Sequence, residues 1–233
     1  MKCKIAELNI EFNNRGKHFE AAAEKYRSDF SVPDIIISAS DEDIEKEKSF
    51  ASYNMRNSVA ETIVFSRKVA HALPEFDAFM LHAATFSIRD KGIGFLALSG
   101  TGKSTHMLNW IELFGEELRV INGDKPIVRI ENGLPFAYGT PWCGKEGISK
   151  NDKVRLTDLC FITRSEENKV VKLEKNEVIA SRLLSQVSIP VGSKNIIKVL
   201  ELLDSVSDKC NFWEICCTPD VSAAELSSSI ILR

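Results

Sequence analysis

Residues 94–110 read GFLALSGTGKSTHMLNW, and this stretch carries the strongest structural signal in the sequence. It opens with a compact apolar run, which predicts a buried strand, and continues with a turn rich in glycine and serine. A helix is predicted at 103–114 and the next strand at 118–121. A strand, a glycine-rich turn, a helix and a strand in this order are typical of a phosphate-binding P-loop unit.

The turn carries the residues of a Walker A motif in the context that this motif requires. Gly100 and Gly102 let the backbone curl so that N–H groups point inward, and the following helix N-terminus favours phosphate charge. Lys103 is predicted to reach the β- and γ-phosphate oxygens, and Ser104 to give its hydroxyl to Mg²⁺. The predicted nucleotide-binding residues are Ser99, Gly100, Thr101, Gly102, Lys103, Ser104 and Thr105.

One position departs from the strict pattern G-x-x-x-x-G-K-[ST], because Ala97 stands where the first glycine is expected. Alanine is small enough to be tolerated there. The alternative interpretation is a glycine and serine turn before a helix that happens to carry a lysine. The predicted strand and helix on the correct sides favour the phosphate loop.

A phosphate loop needs an acidic residue at the end of a neighbouring strand, because Mg²⁺ prefers hard oxygen ligands. Asp124 follows the strand predicted at 118–121, after a turn that contains Gly123. We therefore predict Asp124 as a metal ligand and as a catalytic residue. The alternative is an ordinary turn aspartate ahead of Pro126.

Two further features are candidates for the site. His82 lies among apolar residues near the start of a strand predicted at 78–88, and it is either a structural histidine or a charge or proton partner. Residues 138–147, YGTPWCGKEG, are irregular in the way of loops that carry function. There Lys145 is predicted to meet phosphate and Trp142 to wall the substrate, unless tryptophan and proline merely pack the loop.

Composition indicates an ordinary globular protein. The chain of 233 residues has 30 basic and 33 acidic residues and a formal net charge of -3, so no global field attracts nucleic acid or an anionic membrane. Charges recur every few positions in the first twenty residues, which indicates neither a signal peptide nor a membrane span and predicts a cytoplasmic protein. The 6 cysteines lack CxxC spacing, so reduced thiols are expected.

The whole chain predicts a small α/β region at residues 1–75 and a nucleotide-binding, kinase-like domain at residues 76–233. The first region opens as a β-α-β unit, with strands at 5–12 and 35–37 around a helix at 19–30. The other predicted helices lie at 41–48, 57–73, 177–187, 196–206 and 222–230. The other predicted strands lie at 126–131, 134–138, 159–163, 170–173 and 212–217.

Residues 79–190 resemble the HPr kinase/phosphorylase and phosphoenolpyruvate carboxykinase superfamily, in particular its small HPr-kinase-related branch. The resemblance rests on LHAATFSI, ALSGTGKSTHMLNW, VINGDKPIVRIENG and YGTPWCGKEG in this order, followed by a hairpin around RSEEN. It implies a P-loop kinase core built on a mixed, strongly bent sheet, unlike the parallel sheet of most P-loop proteins. It also implies ATP and a divalent cation.

Carried over residue by residue, the resemblance makes Lys103 the phosphate lysine, Ser104 the metal hydroxyl, His82 an active-site histidine and Asp124 the second of two tandem acidic residues. The first acidic position is Gly123 here, so a metal ligand or candidate base is missing, and Gly123→Asp is expected to restore the pair. The sequence thus predicts an ATP- and Mg²⁺-dependent phosphotransferase acting on a hydroxyl of a small molecule or peptide. The alternatives are a nucleotide sensor without chemistry and a scaffold that binds no nucleotide.

Overall fold

The computed structural model describes residues 1–98, 100–175, 177–189 and 193–233, so Ser99 of the predicted phosphate loop lies outside the described residues. Within these ranges the strands form sheets of three, four and six strands. The strands are β1 (Lys2–Ile5), β2 (Leu8–Asn13), β3 (Ile35–Ser38), β4 (Ala78–Met80), β5 (Ala83–Ile88), β6 (Lys91–Leu96), β7 (Leu118–Asn122), β8 (Ile127–Glu131), β9 (Leu134–Tyr138), β10 (Lys153–Arg155), β11 (Asp158–Arg164), β12 (Lys169–Leu173) and β13 (Asn211–Cys217). The helices are α1 (Lys17–Ala23), α2 (Asp41–Ser49), α3 (Asn57–Ala72), α4 (Lys103–Phe114), α5 (Glu177–Leu184), α6 (Ser193–Lys209) and α7 (Val221–Ile231).

The six-stranded sheet is mixed. Its order is β12-β13-β11-β6-β5-β7, in which β11 runs parallel to both β6 and β13 while the other pairs are antiparallel. Met107 and Trp110 of α4 pack on one face together with α7, and Leu183 of α5 and Val199 of α6 pack on the other. The predicted α/β class with a mixed sheet is therefore confirmed, and the strong bend of the sheet stays a prediction.

The N-terminal sheet begins with a β1-β2 hairpin, because Ala6 and Glu7 turn the chain with φ of 51° and 62°. The strand predicted at 5–12 is thus wrong at its start, since β2 begins at Leu8. The predicted β-α-β unit is confirmed: β2 and β3 are parallel and α1 lies between them in the chain. The helix predicted at 19–30 is shorter, because a 3-10 turn at Glu24–Tyr26 follows α1.

The strand predicted at 78–88 is two strands in two different sheets. β4 joins the antiparallel sheet β10-β9-β8-β4, whereas β5 joins the six-stranded sheet. Between them the His82 backbone N–H donates to the Gln186 carbonyl at 2.7 Å, and the Ala83 N–H donates to the Asp124 carbonyl at 2.9 Å. The break therefore places His82 beside Asp124, although 41 residues, including β5, β6, α4 and β7, lie between them in the chain.

Trp142 belongs to the core of the N-terminal region. Its side chain is 7% exposed, its ring centroid lies 6.4 Å from that of Phe12 and 6.1 Å from that of Phe19, and its indole N–H donates to the Thr62 carbonyl at 2.9 Å. The expectation that Trp142 walls the substrate is therefore wrong, because its aromatic surface is used in packing. One hydrophobic core thus spans the predicted boundary, and the division between residues 75 and 76 stays a prediction.

None of the helices in the described ranges combines the length and the apolar character that crossing a bilayer requires.

Candidate functional site

The loop between β6 and α4 has the backbone that its glycines predict. Gly100 and Gly102 have φ of +80° and +114°, in the left-handed region that favours glycine. A Cβ at either position would meet nothing within 4 Å, so the backbone conformation and not crowding requires glycine there. The Thr101 N–H donates to the Leu98 carbonyl at 3.1 Å, and the His106 N–H donates to the Gly102 carbonyl at 2.9 Å as α4 begins.

Three of the predicted site residues meet in one charged cluster beside this loop. The Lys103 ammonium donates to Asp124 Oδ1 at 3.0 Å, and His82 Nε2 lies 3.2 Å from the same oxygen. The Lys103 side chain is 8% exposed, whereas the Asp124 and His82 side chains are 27% and 30% exposed. A buried cation, a carboxylate and an imidazole therefore share one edge of the loop.

Asp124 is held in place by Asn122, which the sequence did not single out. The Asn122 Oδ1 accepts from the backbone N–H of Asp124 at 2.9 Å and of Lys125 at 2.7 Å. The Asn122 side chain is buried, and its amide donates to the Thr140 carbonyl at 3.1 Å and to the Thr140 hydroxyl at 3.0 Å. This Asx turn fixes the backbone that carries the carboxylate.

The cluster shifts the pKa values of both charged partners. Burial alone raises the pKa of Asp124, but the hydrogen bond from His82 and the positive charge of Lys103 outweigh it and hold that pKa below its ordinary value. Burial lowers the pKa of Lys103, and the charge of Asp124 opposes this effect. Asp124 is therefore a carboxylate throughout the neutral range.

A cleft of about 520 Å³ opens over the loop and the cluster. The predicted site residues that line it are His82, Gly100, Gly102, Lys103, Ser104, Thr105, Asp124 and Lys145. Lys125, Glu146 and Arg164 line it as well, and the sequence did not single them out for the site. The cleft is thus lined by the loop between β6 and α4, the residues that follow β7, the break between β4 and β5, and the 138–147 segment.

Arg164 braces the loop from the end of β11. Its guanidinium donates to the Gly100 carbonyl at 2.6 Å and to the Thr101 carbonyl at 3.1 Å. These bonds hold the carbonyls of Gly100 and Thr101 toward Arg164 and so fix the loop backbone at these two residues. The only sequence signal was the place of Arg164 in the RSEEN segment, which indicates a hairpin and no contact.

Gly123 has no room for a side chain. A Cβ there would lie 2.8 Å from the Cys143 carbonyl oxygen, and the Gly123 N–H donates to the Ile148 carbonyl at 3.0 Å. The backbone of the 138–147 segment therefore fills the space that a side chain at this position would need. The expectation that Gly123→Asp restores a second carboxylate is wrong for this backbone.

His106 is buried in the core beneath the loop. Its ring centroid lies 4.9 Å from that of Phe95, and its Nε2 lies 3.2 Å from the Ser227 hydroxyl oxygen. Burial lowers the pKa of His106 to about 4, so the folded protein keeps this imidazole neutral well below the ordinary histidine pKa.

This burial predicts a loss of stability in mild acid. The unfolded chain takes up a proton at His106 near pH 6.5 while the folded chain does not, so stability is complete above that pH and falls toward pH 4. Between pH 7 and pH 5 this residue should remove about 2 kcal/mol from the free energy of unfolding. Urea unfolding at the two pH values measures the loss, which should shrink in His106→Gln and persist in His18→Gln, a change at an exposed histidine. An equal loss in all three proteins would contradict this account.

The comparisons with known proteins give a distant likeness among solved structures. No family model matches the chain, and no curated protein matches it in sequence. Among solved structures the chain is similar to the HPr(Ser) kinase/phosphatase from Coxiella burnetii, with 11% identity, a TM-score of 0.39, and coverage of 66% of this chain and 88% of that one. At this distance the likeness assigns no function to the chain.

Proposed function

We propose that this chain is an ATP-binding phosphotransferase that transfers phosphate to a hydroxyl of a small molecule or peptide. The observation that supports this most is the cluster of Lys103, Asp124 and His82 at the edge of a glycine loop that opens a helix. The loop and helix N-terminus suit a polyphosphate, and the cluster stands where its reactive end would lie.

The charges of the cleft support a polyphosphate ligand. The cleft is lined by the cations Lys103, Lys125, Lys145 and Arg164 and by the carboxylates Asp124 and Glu146. The chain as a whole has a net charge of -3, so this excess of cations is local. A local positive field attracts and orients an anion even when the whole protein is acidic.

Ser104 and Asp124 offer the hydroxyl and carboxylate oxygens that Mg²⁺ takes as ligands, so the residues present fit this ion. Bound Mg²⁺ would neutralise charge that develops on the phosphate oxygens. The lowered pKa of Asp124 supports a role as a charged ligand and disfavours one as a general base, because a base works best with a pKa near the working pH.

We propose His82 as the base that accepts the proton of the acceptor hydroxyl. Its Nε2 faces Asp124 Oδ1 at 3.2 Å, so a neutral imidazole carries its proton on that nitrogen and has its other ring nitrogen free to accept one. Asp124 orients the ring and stabilises the imidazolium that forms, while Lys103 holds the phosphate oxygens. Lys145 stands on the opposite loop of the same cleft and is proposed to contact phosphate.

A nucleotide sensor is the second candidate, and one observation favours it. The loop backbone at Cys143 occupies the space beside Gly123, so Asp124 is the single carboxylate of its turn. A site with one acidic ligand still holds the nucleotide but has less to hold a catalytic metal in place. Nucleotide binding without transfer to any acceptor would identify the sensor.

Both the phosphotransferase and the sensor must bind a nucleotide through its phosphates. Titration calorimetry with ATP and AMP, each with and without Mg²⁺, tests this binding. Since the proposed contacts are with the phosphates, ATP should bind at least about tenfold more tightly than AMP. Mg²⁺ should strengthen the binding of ATP but not that of AMP. Equal affinities for ATP and AMP would contradict the phosphate loop. Phosphate release measured with and without candidate hydroxyl acceptors then separates the transferase from the sensor.

A further inference from the structure

A second cleft of about 370 Å³ joins the first one at the phosphate loop. The two clefts share Gly102, Thr105 and Arg164. Beyond these the second cleft runs along Ser165 at the end of β11 and along residues 217–219, which connect β13 to α7. The reactive groups Lys103, Asp124 and His82 line only the first cleft. The second cleft therefore leads away from the reactive cluster.

We propose that the second cleft binds the purine nucleoside of the nucleoside triphosphate, an inference that rests on the proposed function. A triphosphate has two ends, and its terminal phosphate must meet Lys103 for transfer to occur. Its nucleoside end must then extend away from Lys103. The two clefts meet at Gly102 and Thr105, so the second cleft is within reach of that end. The volume of the second cleft lies within the range of small-molecule sites.

The walls of this cleft are fixed by hydrogen bonds. The Ser165 N–H donates to the Cys217 carbonyl at 3.1 Å, which joins the ends of β11 and β13. The Asn168 side-chain carbonyl accepts from the Thr218 N–H at 2.8 Å and from the Thr218 hydroxyl at 3.2 Å. A pre-formed wall reduces the ordering that binding requires, which favours a specific ligand over a loose one.

The lining suits an aromatic base better than another phosphate. Pro219 and the buried Cys217 give apolar surface, whereas Arg164 adds a planar cation that is already tied to the loop carbonyls. A guanidinium plane attracts the face of an aromatic ring, and apolar surface stabilises a ring that leaves water.

His106 lines the second cleft with a buried imidazole. The Ser227 hydroxyl donates to the Ala224 carbonyl at 3.2 Å and accepts from the Trp110 indole N–H at 3.0 Å, so it is left to accept from His106 Nε2 as well. His106 Nδ1 is then the nitrogen without a proton, and among the described residues it is buried without a partner. A buried acceptor beside a cleft matches a ligand N–H or O–H, and a nucleoside supplies both.

The test compares ATP with inorganic tripolyphosphate, which has the phosphates and no nucleoside. Ser165→Trp places an indole in the second cleft at an exposed position, and Ser31→Trp, the same change at an exposed serine outside both clefts, is its matched control. Calorimetry on the full chain should show ATP affinity reduced at least about tenfold by Ser165→Trp, with its tripolyphosphate affinity changed less than about twofold. Ser31→Trp should bind both probes as the parent does. Circular dichroism and thermal unfolding check that each variant is folded.

Each other outcome has one meaning. A parent that binds neither probe overturns the proposed function itself. A folded Ser165→Trp that keeps its ATP affinity, or that weakens both probes equally, overturns only the nucleoside cleft. Photolabelling of the unmodified chain with 8-azido-ATP gives an independent measurement: label on residues 164–165 or 217–219 supports the cleft, and label confined to other peptides overturns it.

Discussion

Replacing Lys103 by methionine is expected to weaken Mg-ATP binding by about tenfold to a hundredfold. A charge-assisted hydrogen bond to phosphate contributes about 1.5–3 kcal/mol, and methionine keeps the length of the side chain while removing the ammonium. The Lys103 side chain is 8% exposed, so water cannot readily take the place of the lost charge. Calorimetric titration of the folded variant with Mg-ATP measures the effect.

The same change at Lys48 is the matched control. Lys48 is a partly buried lysine that pairs with Glu45 at 2.8 Å on α2, outside the cleft. Lys48→Met should keep the affinity of the parent. The phosphate-loop interpretation would be wrong if folded Lys103→Met bound Mg-ATP as tightly as Lys48→Met does.

The parts of this fold that the sequence predicted are those with local signals. The helix predicted at 57–73 is α3, Asn57–Ala72, and the helix predicted at 103–114 is α4, because apolar spacing and nearby stop signals set both. The conformation of Gly100 and Gly102 is likewise a local property, since glycine is the residue that adopts positive φ without strain.

The parts that the sequence missed depend on partners far along the chain. Leu81 and His82 interrupt the strand predicted at 78–88 because Leu81 pairs with Pro126 and His82 with Gln186, and no nearby glycine or proline marks the break. Arg164 braces a loop more than sixty positions away. Trp142 is in a core formed mainly by the N-terminal region, which its irregular surroundings do not indicate.

Gly123 shows how a sequence pattern and the packing give different explanations. In the sequence it is a missing carboxylate next to Asp124, and substitution by aspartate looks like a repair. In the structure a Cβ there would lie 2.8 Å from the Cys143 carbonyl, closer than such atoms approach in proteins. Overpacking of this kind typically costs about 1–3 kcal/mol, so Gly123→Ala already disturbs the loop and a gain in turnover from Gly123→Asp is not expected.

Asp124→Asn is expected to remove most of the effect of Mg²⁺ on ATP binding. Asparagine keeps the shape of the side chain and one acceptor oxygen, but it has no charge for the metal, and Mg²⁺ is held mainly by charged oxygen ligands. Without Mg²⁺ the variant should bind ATP as well as the parent or better, because a carboxylate that repels the phosphates is gone. ATP titrations over a range of Mg²⁺ concentrations measure both effects.

The opposite directions of these two effects separate a metal ligand from a residue that only supports the turn. If Asp124 only supported the turn, its loss would disturb the contacts that Asn122 and Lys103 make with this residue. ATP binding would then weaken with and without Mg²⁺ alike. Asp152→Asn is the matched control, because Asp152 pairs with Arg119 on the surface and does not line the cleft. It should leave the Mg²⁺ dependence as in the parent. If Asp124→Asn also kept that dependence, Asp124 would be a turn residue and the protein ligand of the metal would lie elsewhere.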